Sequence, residues 1–269
     1  MTYESVEHLG IALGTDGVLR LHLDKPRKRN ALDDDMVAAL IDAIDAAGRD
    51  EAVRAISITG AGDDFCSGFD IVGRNAAADE RPRVGSIQRR LPSQSHRLVA
   101  VMLSTQVPIV AAVRGWCAGL GLHVALASDF TVVADDARLW EPFTERGFTP
   151  DSGATWLLPR RIGEVRAREM LLLGRAVSGT EAAAWGMVHA AVAPGDLDDT
   201  AEDIVARLAQ GPTVSIGLAK WLLHSSSSRA LDDQLRDEAF AMELSSRSED
   251  FREGLTAFKD KRSPKFTGR

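Results

Sequence analysis

Residues 108–134 read PIVAAVRGWCAGLGLHVALASDFTVVA. Ile109, Val110 and Val113 make Pro108–Val113 a short buried strand, Gly115, Gly119 and Gly121 supply a turn, Leu120–Ala127 follows as an apolar helix, and Phe130–Ala134 returns as a strand. Strand, crossover helix and strand in succession predict an α/β protein with a mostly parallel sheet. Upstream, Gly10–Asp24 alternates around Asp16-Gly17 as a hairpin would. Met36, Val37, Leu40, Ile41 and Ile44 give Asp33–Ala47 a helical period, and β-branched Ala52–Thr59 reads as a strand ending in the Gly60–Gly62 turn. Leu91–Leu103 is a further helix, whereas Arg74–Arg90, rich in Ala, Asp, Arg and Pro, reads as a mobile surface loop.

Beyond about residue 150 the pattern becomes helical. Ser152–Ile162, Glu164–Leu173, Gly179–Trp185, Leu197–Gln210, Pro212–His224, Ala230–Leu244 and Ser248–Lys259 are all predicted helices. No proline-rich linker separates them from the core, so one domain over residues 1–195 with a helical extension over 196–269 is expected.

The 269 residues are 45% hydrophobic and 26% charged, enough for one full-sized core. No apolar run reaches the roughly 18 to 20 residues that span a bilayer. Glu4 and Glu7 stand where a secretory leader needs a basic and then an apolar stretch, and two cysteines, Cys66 and Cys117, neither build a disulfide framework nor show zinc spacing. A reducing cytosolic setting is expected. The net charge of −7 speaks against a nucleic-acid partner, which needs a basic face. Basic clusters at Lys25–Arg29, Arg81–Arg90 and Lys259–Lys265 still allow a local anion contact.

Two segments are built as backbone devices. Thr59-Gly-Ala-Gly-Asp-Asp-Phe-Cys-Ser-Gly-Phe-Asp70 and Gly115-Trp-Cys-Ala-Gly-Leu-Gly-Leu-His123 each place a glycine-rich turn after a strand. Helix N-termini offer unpaired N–H groups, so two such turns facing each other can hold an oxyanion; taken singly, each is an ordinary tight connection.

These segments, with Lys25-Pro-Arg-Lys-Arg-Asn-Ala-Leu32, Phe65-Cys-Ser-Gly-Phe-Asp70, Ser128-Asp129, Pro150-Asp-Ser-Gly153, Leu158-Pro-Arg160 and Glu181-Ala-Ala-Ala-Trp-Gly-Met-Val188, resemble in order and spacing the crotonase (enoyl-CoA hydratase/isomerase) superfamily. The tail Phe251–Gly268 is similar to its 2-(1,2-epoxy-1,2-dihydrophenyl)acetyl-CoA isomerase-like branch. The resemblance implies the crotonase fold, shared with the Clp proteases, of repeated ββα units in a spiral with a C-terminal helical extension. It also implies an acyl-CoA thioester substrate, no cofactor apart from the coenzyme A of that thioester, and a homotrimer or homohexamer.

Carried over residue by residue, the resemblance puts the two oxyanion donors on the amides of Phe69 and Leu120. A hydratase of this family has two glutamates, at positions occupied here by His123 and Phe143. Glu141 and Glu145 flank the second position, but a two-residue offset on a helix turns a side chain by about 200°. Asp151 remains. In the isomerase branches an aspartate in this Pro-Asp-Ser-Gly setting carries the chemistry, although the same residue is a natural helix N-cap. One carboxylate suffices to move a proton between two carbons of an enolate. Catalysis is therefore expected from Asp151, Phe69 and Leu120, with His123 either a second acid or a structural residue, and Phe143 and Trp140 in the acyl pocket. Coenzyme A contacts are expected from Arg27, Lys28, Cys66 and Asp70, and from Phe258 and Lys261 of a neighbouring subunit.

A dinucleotide fingerprint at Gly119-Leu-Gly121 fails at Val124, and no Gly-x-Ser-x-Gly nucleophile elbow is present. Hydration by atypical residues, or acyl-CoA binding without turnover, are the alternatives within the family.

Overall fold

The computed structural model describes residues 2–76 and 83–269. Its main sheet has the strand order β1-β2-β3-β4-β6-β9. The hairpin forms as expected: β1 (Leu9–Leu13) pairs antiparallel with β2 (Val18–Leu23), and Asp16 Oδ1 accepts the Val18 N–H at 3.1 Å across the turn. α1 (Asp34–Ala47) is capped by Asp33, whose side chain accepts from the Met36 amide, and buries its apolar face before β3 (Ala55–Gly60) joins β2 in parallel. Two short helices, α2 (Ile71–Ala76) and α3 (Ser86–Arg90), stand where an irregular loop was expected, and residues 77–82 of that stretch, Arg81 of the basic cluster included, lie outside the described residues.

α4 (Ser95–Ser104) packs on α1 and leads to β4 (Ile109–Val113). Next come β5 (Trp116–Ala118), α5 (Leu120–Ala127), β6 (Phe130–Ala134) and β7 (Arg138–Trp140). Every residue of α5 is buried, which is why its sequence is apolar all round instead of striped. α6 (Ala154–Leu173) is broken at Gly163 (φ 73°) into the two helical segments its sequence predicts. β8 (Val177–Ser178), α7 (Gly179–Ala184, closed by a Ser178/Glu181 capping box) and β9 (Ala190–Val192) complete the core. A second sheet, β5-β7-β8, sits apart from the main one. α5 is the pivot between them: it leaves β5 of the small sheet and delivers the chain to β6 of the large one.

Of the C-terminal helices, α8 (Leu197–Ala209) packs on β3, β4 and β6 through Leu197, Ala201, Val205 and Ala209. In packing it is part of the core, so the looser region begins with α9 (Thr213–Ser226). α9 is pinned by the buried Lys220, whose Nζ reaches Asp129 Oδ2 at 2.7 Å and Val107 O at 2.9 Å. α10 (Leu231–Ser245) and α11 (Glu249–Asp260) bury little and leave Leu231, Leu235, Phe240, Leu255 and Phe258 exposed. Among the described residues no helix is long and apolar enough to cross a membrane.

Candidate active site

The two glycine-rich segments meet. Cys66 donates to Trp116 O at 3.0 Å and accepts from Ala118 N–H at 2.9 Å, an isolated parallel bridge to Cys117 that lays the first glycine-rich segment beside β5. Glycine is needed for that approach. A Cβ at Gly68 (φ 99°) would stand 2.9 Å from Ala118 O, and one at Gly121 would stand 2.5 Å from Cys66 O and 2.8 Å from its Sγ. Gly121→Ala must therefore push the two segments apart. We expect a loss of about 1–3 kcal/mol of stability, read as a fall in Tm, together with a loss of activity; an unchanged Tm would show that the contact relaxes freely.

Gly119, at φ 50° and ψ −123°, turns the chain so that Leu120 opens α5. The Leu120 amide therefore has no preceding turn to bond to. Among the described residues the amides of Phe69 and Leu120 donate to no backbone or side-chain acceptor, and both residues line one cavity of about 390 Å³. The neighbouring amides are occupied: Ser67 donates to Arg29 O, Asp70 to Leu32 O and Gly119 to Trp140 O.

Asp151 lines the same cavity. It does not cap α6: Gly153 takes the N-cap position, and only the Asp151 carbonyl, not its carboxylate, is engaged there, by Ala154 N–H at 3.0 Å. The cause is local. Ser152 and Gly153 both adopt left-handed backbone (φ 48° and 91°), a tight turn that frees the carboxylate from the helix end. A serine in that region stores strain of order 1–3 kcal/mol, and its hydroxyl is buried without a partner. Phe143, Phe148 and Leu120 supply apolar walls, and Asp151 is the one carboxylate among the cavity-lining residues described.

His123 lies behind this wall. It is fully buried, and its ring stacks on Phe143 at 5.9 Å, so Phe143 lines the cavity and His123 does not. Its Nε2 stands 3.1 Å from Oε1 of Glu141, which is buried as completely. Burial pushes the Glu141 carboxyl up, opposed by His123. His123 Nδ1 and Glu141 Oε2 have no hydrogen-bond partner. Glu145 is turned away, close to Gly174. Trp140 packs on Trp116 and donates to Gly174 O at 2.8 Å, outside the cavity lining.

Of the residues expected to meet coenzyme A, Lys28, Cys66 and Asp70 are brought together in the single chain, with Arg27 beside Lys28, whereas Phe258 and Lys261 lie at the end of α11. Ser67 ties the Lys25–Arg29 loop to the cavity rim by donating from its hydroxyl to Lys28 O at 3.1 Å. Asp70 is held by Lys28 at 2.8 Å and by Lys25 at 3.4 Å, which keep its carboxyl below the ordinary range against the cost of burial. Cys66 has both backbone groups spent in the bridge to β5, so no backbone group of that residue is free for an adenine, and burial pushes its thiol up to about 12. Arg27 is solvent-exposed, as are Phe258 and Lys261, which stand at the end of α11; none of the three lines the cavity. Three arginines do line it, Arg74, Arg90 and Arg146; Arg90 belongs to the basic cluster Arg81–Arg90, whereas Arg74 and Arg146 are isolated basic residues whose sequence setting looks like solvated surface. Among the described residues no group of three or more His, Cys, Asp or Glu could hold a metal ion.

The enoyl-CoA hydratase/isomerase family model matches residues 14–269. The 1,2-epoxyphenylacetyl-CoA isomerase of Escherichia coli is 38% identical over 254 residues, covering 94% of this chain and 96% of that protein. The crotonyl-CoA hydratase of Syntrophomonas wolfei is 31% identical, over 91% of this chain and 93% of its own. The crystal structure of an enoyl-CoA hydratase from Bacillus anthracis superimposes with a TM-score of 0.89 at 29% identity, covering 97% of this chain and all of that one.

Proposed function

The chain belongs to the enoyl-CoA hydratase/isomerase family, and we propose that within it the protein is an acyl-CoA isomerase with Asp151 as its single proton shuttle. The observation that carries this reading is the pairing, in one cavity, of two unspent amides with one carboxylate. The thioester oxygen accepts from Phe69 and Leu120 N–H; a proton passes from carbon to the Asp151 carboxylate, and the electron pair moves onto that oxygen as an enolate. Return of the proton to a different carbon completes the shift of a double bond, and the same enolate logic serves opening of an epoxide. Each amide supplies roughly 3–4 kcal/mol as charge develops. Hydration needs an acid and a base to share a water, and the positions where the family's hydratases carry glutamates hold a buried histidine and a phenylalanine.

The proposal extends to a homotrimer or homohexamer, supported by the uncovered apolar side chains of α10 and α11, which would bring Phe258 and Lys261 to a neighbour's coenzyme A. It also extends to a reducing cytosolic setting, in keeping with two free, buried cysteines. The test is a turnover screen against straight-chain 2-enoyl, 3-enoyl and aryl-epoxide CoA thioesters. We expect isomerisation of the 3-enoyl or epoxide compounds and negligible hydration of crotonyl-CoA. Efficient hydration of crotonyl-CoA would sink the choice of isomerase.

A further inference from the structure

We infer that the acyl pocket takes a thioester whose acyl group ends in a carboxylate, gripped by Arg90 with Arg146 lining the same cavity. This rests on the acyl-CoA reading above and narrows its substrate class. Among the described lining residues, three guanidinium groups stand against one carboxylate, an excess of positive charge. Arg74 is already neutralised: its Nε donates to Asp34 Oδ2 at 3.0 Å, its Nη2 bonds Asp34 Oδ1 and Gln94, and its guanidinium lies 4.3 Å from the centre of the Phe69 ring. Arg90 and Arg146 have no acidic partner among the described residues, and the guanidinium of the exposed Arg146 lies 5.7 Å from the centre of the Trp140 ring. Arg90 Nε is buried with no acceptor, in a cavity whose walls also include Ile87, Leu91 and Phe148.

Arg90 is half-buried, and a guanidinium N–H covered without an acceptor is rare because its desolvation goes uncompensated. A carboxylate is the planar two-oxygen group that its forked donors match. A neutral alkyl or aryl chain would bury these donors further and satisfy none. The phosphates of coenzyme A offer the same chemistry from another source. Arg90 closes α3 and Arg146 sits in the 144–146 turn, however, whereas the Lys25–Arg29 loop reaches the rim through Ser67.

Equilibrium binding by calorimetry separates the sources without requiring turnover. The probes are coenzyme A itself and the succinyl, adipyl and suberyl thioesters, each paired with the neutral acyl-CoA of equal carbon count. We expect the wild-type chain to bind at least one carboxylated thioester tenfold or more tighter than its neutral partner, and Arg90→Met to bring that ratio close to one. Equal wild-type affinities within every pair overturn the inference, and this arm decides even if the variant does not fold. A uniform loss across all probes in Arg90→Met also overturns it, since Arg90 would then serve the phosphates. Binding to none of the thioesters would instead defeat the acyl-CoA reading beneath it. A preference for carboxylated ligands without any isomerase turnover would leave this inference standing and remove the proposed reaction.

Discussion

Asp151→Asn is expected to lower kcat/KM for the isomerised thioester by about 10²–10⁴-fold, the usual yield of a positioned general base, while the fold survives. Both halves follow from the turn at 151–153. The carboxylate accepts no hydrogen bond from α6 and makes no ion pair among the described residues, so replacing one oxygen by NH₂ removes no native contact. Substitutions of that kind usually change stability by less than about 0.5 kcal/mol. In catalysis the same change is expected to be severe, because among the described residues no second carboxylate lines the cavity: Glu141 is sealed behind Phe143 with His123, and Glu145 points elsewhere. The measurement is steady-state turnover beside a thermal melt. Retained isomerisation with an unchanged Tm would remove Asp151 from the mechanism; a large drop in Tm would instead reassign it to the structure.

The buried His123–Glu141 pair shows how the site departs from a simple substitution of its residues. Two titratable groups in a dry interior cost more than a well-packed apolar pair of equal volume, and each leaves one polar atom unsatisfied. Their effect on the cavity is indirect. The His123 ring backs Phe143, and Glu141 follows Trp140, whose carbonyl fixes Gly119 at 3.0 Å just before the Leu120 amide.

Those features that depend on one continuous stretch were legible beforehand. α5 and β6 begin and end where apolar runs meet glycine or Ser-Asp, the hairpin turns at Asp16-Gly17, and every C-terminal helix falls within a few residues of its periodic segment. The strands of the small sheet were not. β5, β7 and β8 are two or three residues long and exist because neighbouring backbone meets them, which leaves no side-chain pattern to find. The His123–Glu141 contact depends on that same pairing of β5 with β7, as the partners stand 18 residues apart. Asp151 looked like a cap because Pro-Asp-Ser-Gly is cap-like in composition; its release depends on Ser152 accepting a left-handed backbone that serine normally avoids. α8 was assigned to the extension because it is an ordinary amphipathic helix, and nothing in such a helix says which surface its stripe will meet.

Leu120→Pro removes one N–H from the cavity while sparing the helix that carries it, and we expect kcat to fall by about 10²–10³-fold. Leu120 is the first residue of α5, the position where proline is best tolerated, since the missing N–H had no helical acceptor and the ring presets a helical φ. The preceding residue is Gly119 at positive φ, which lacks the Cβ that clashes with a following proline ring. The side chain is lost as well, so Leu120→Ala is the necessary control: it trims the pocket wall but keeps the amide, and should cost less than tenfold in kcat. A saturated acyl-CoA, which develops no oxyanion charge, should bind the two variants with similar affinity, placing the loss in the transition state rather than in the ground state. If Leu120→Pro and Leu120→Ala prove equally active, the amide of residue 120 does not hold the enolate, and the pairing of two amides with Asp151 fails as an account of the site.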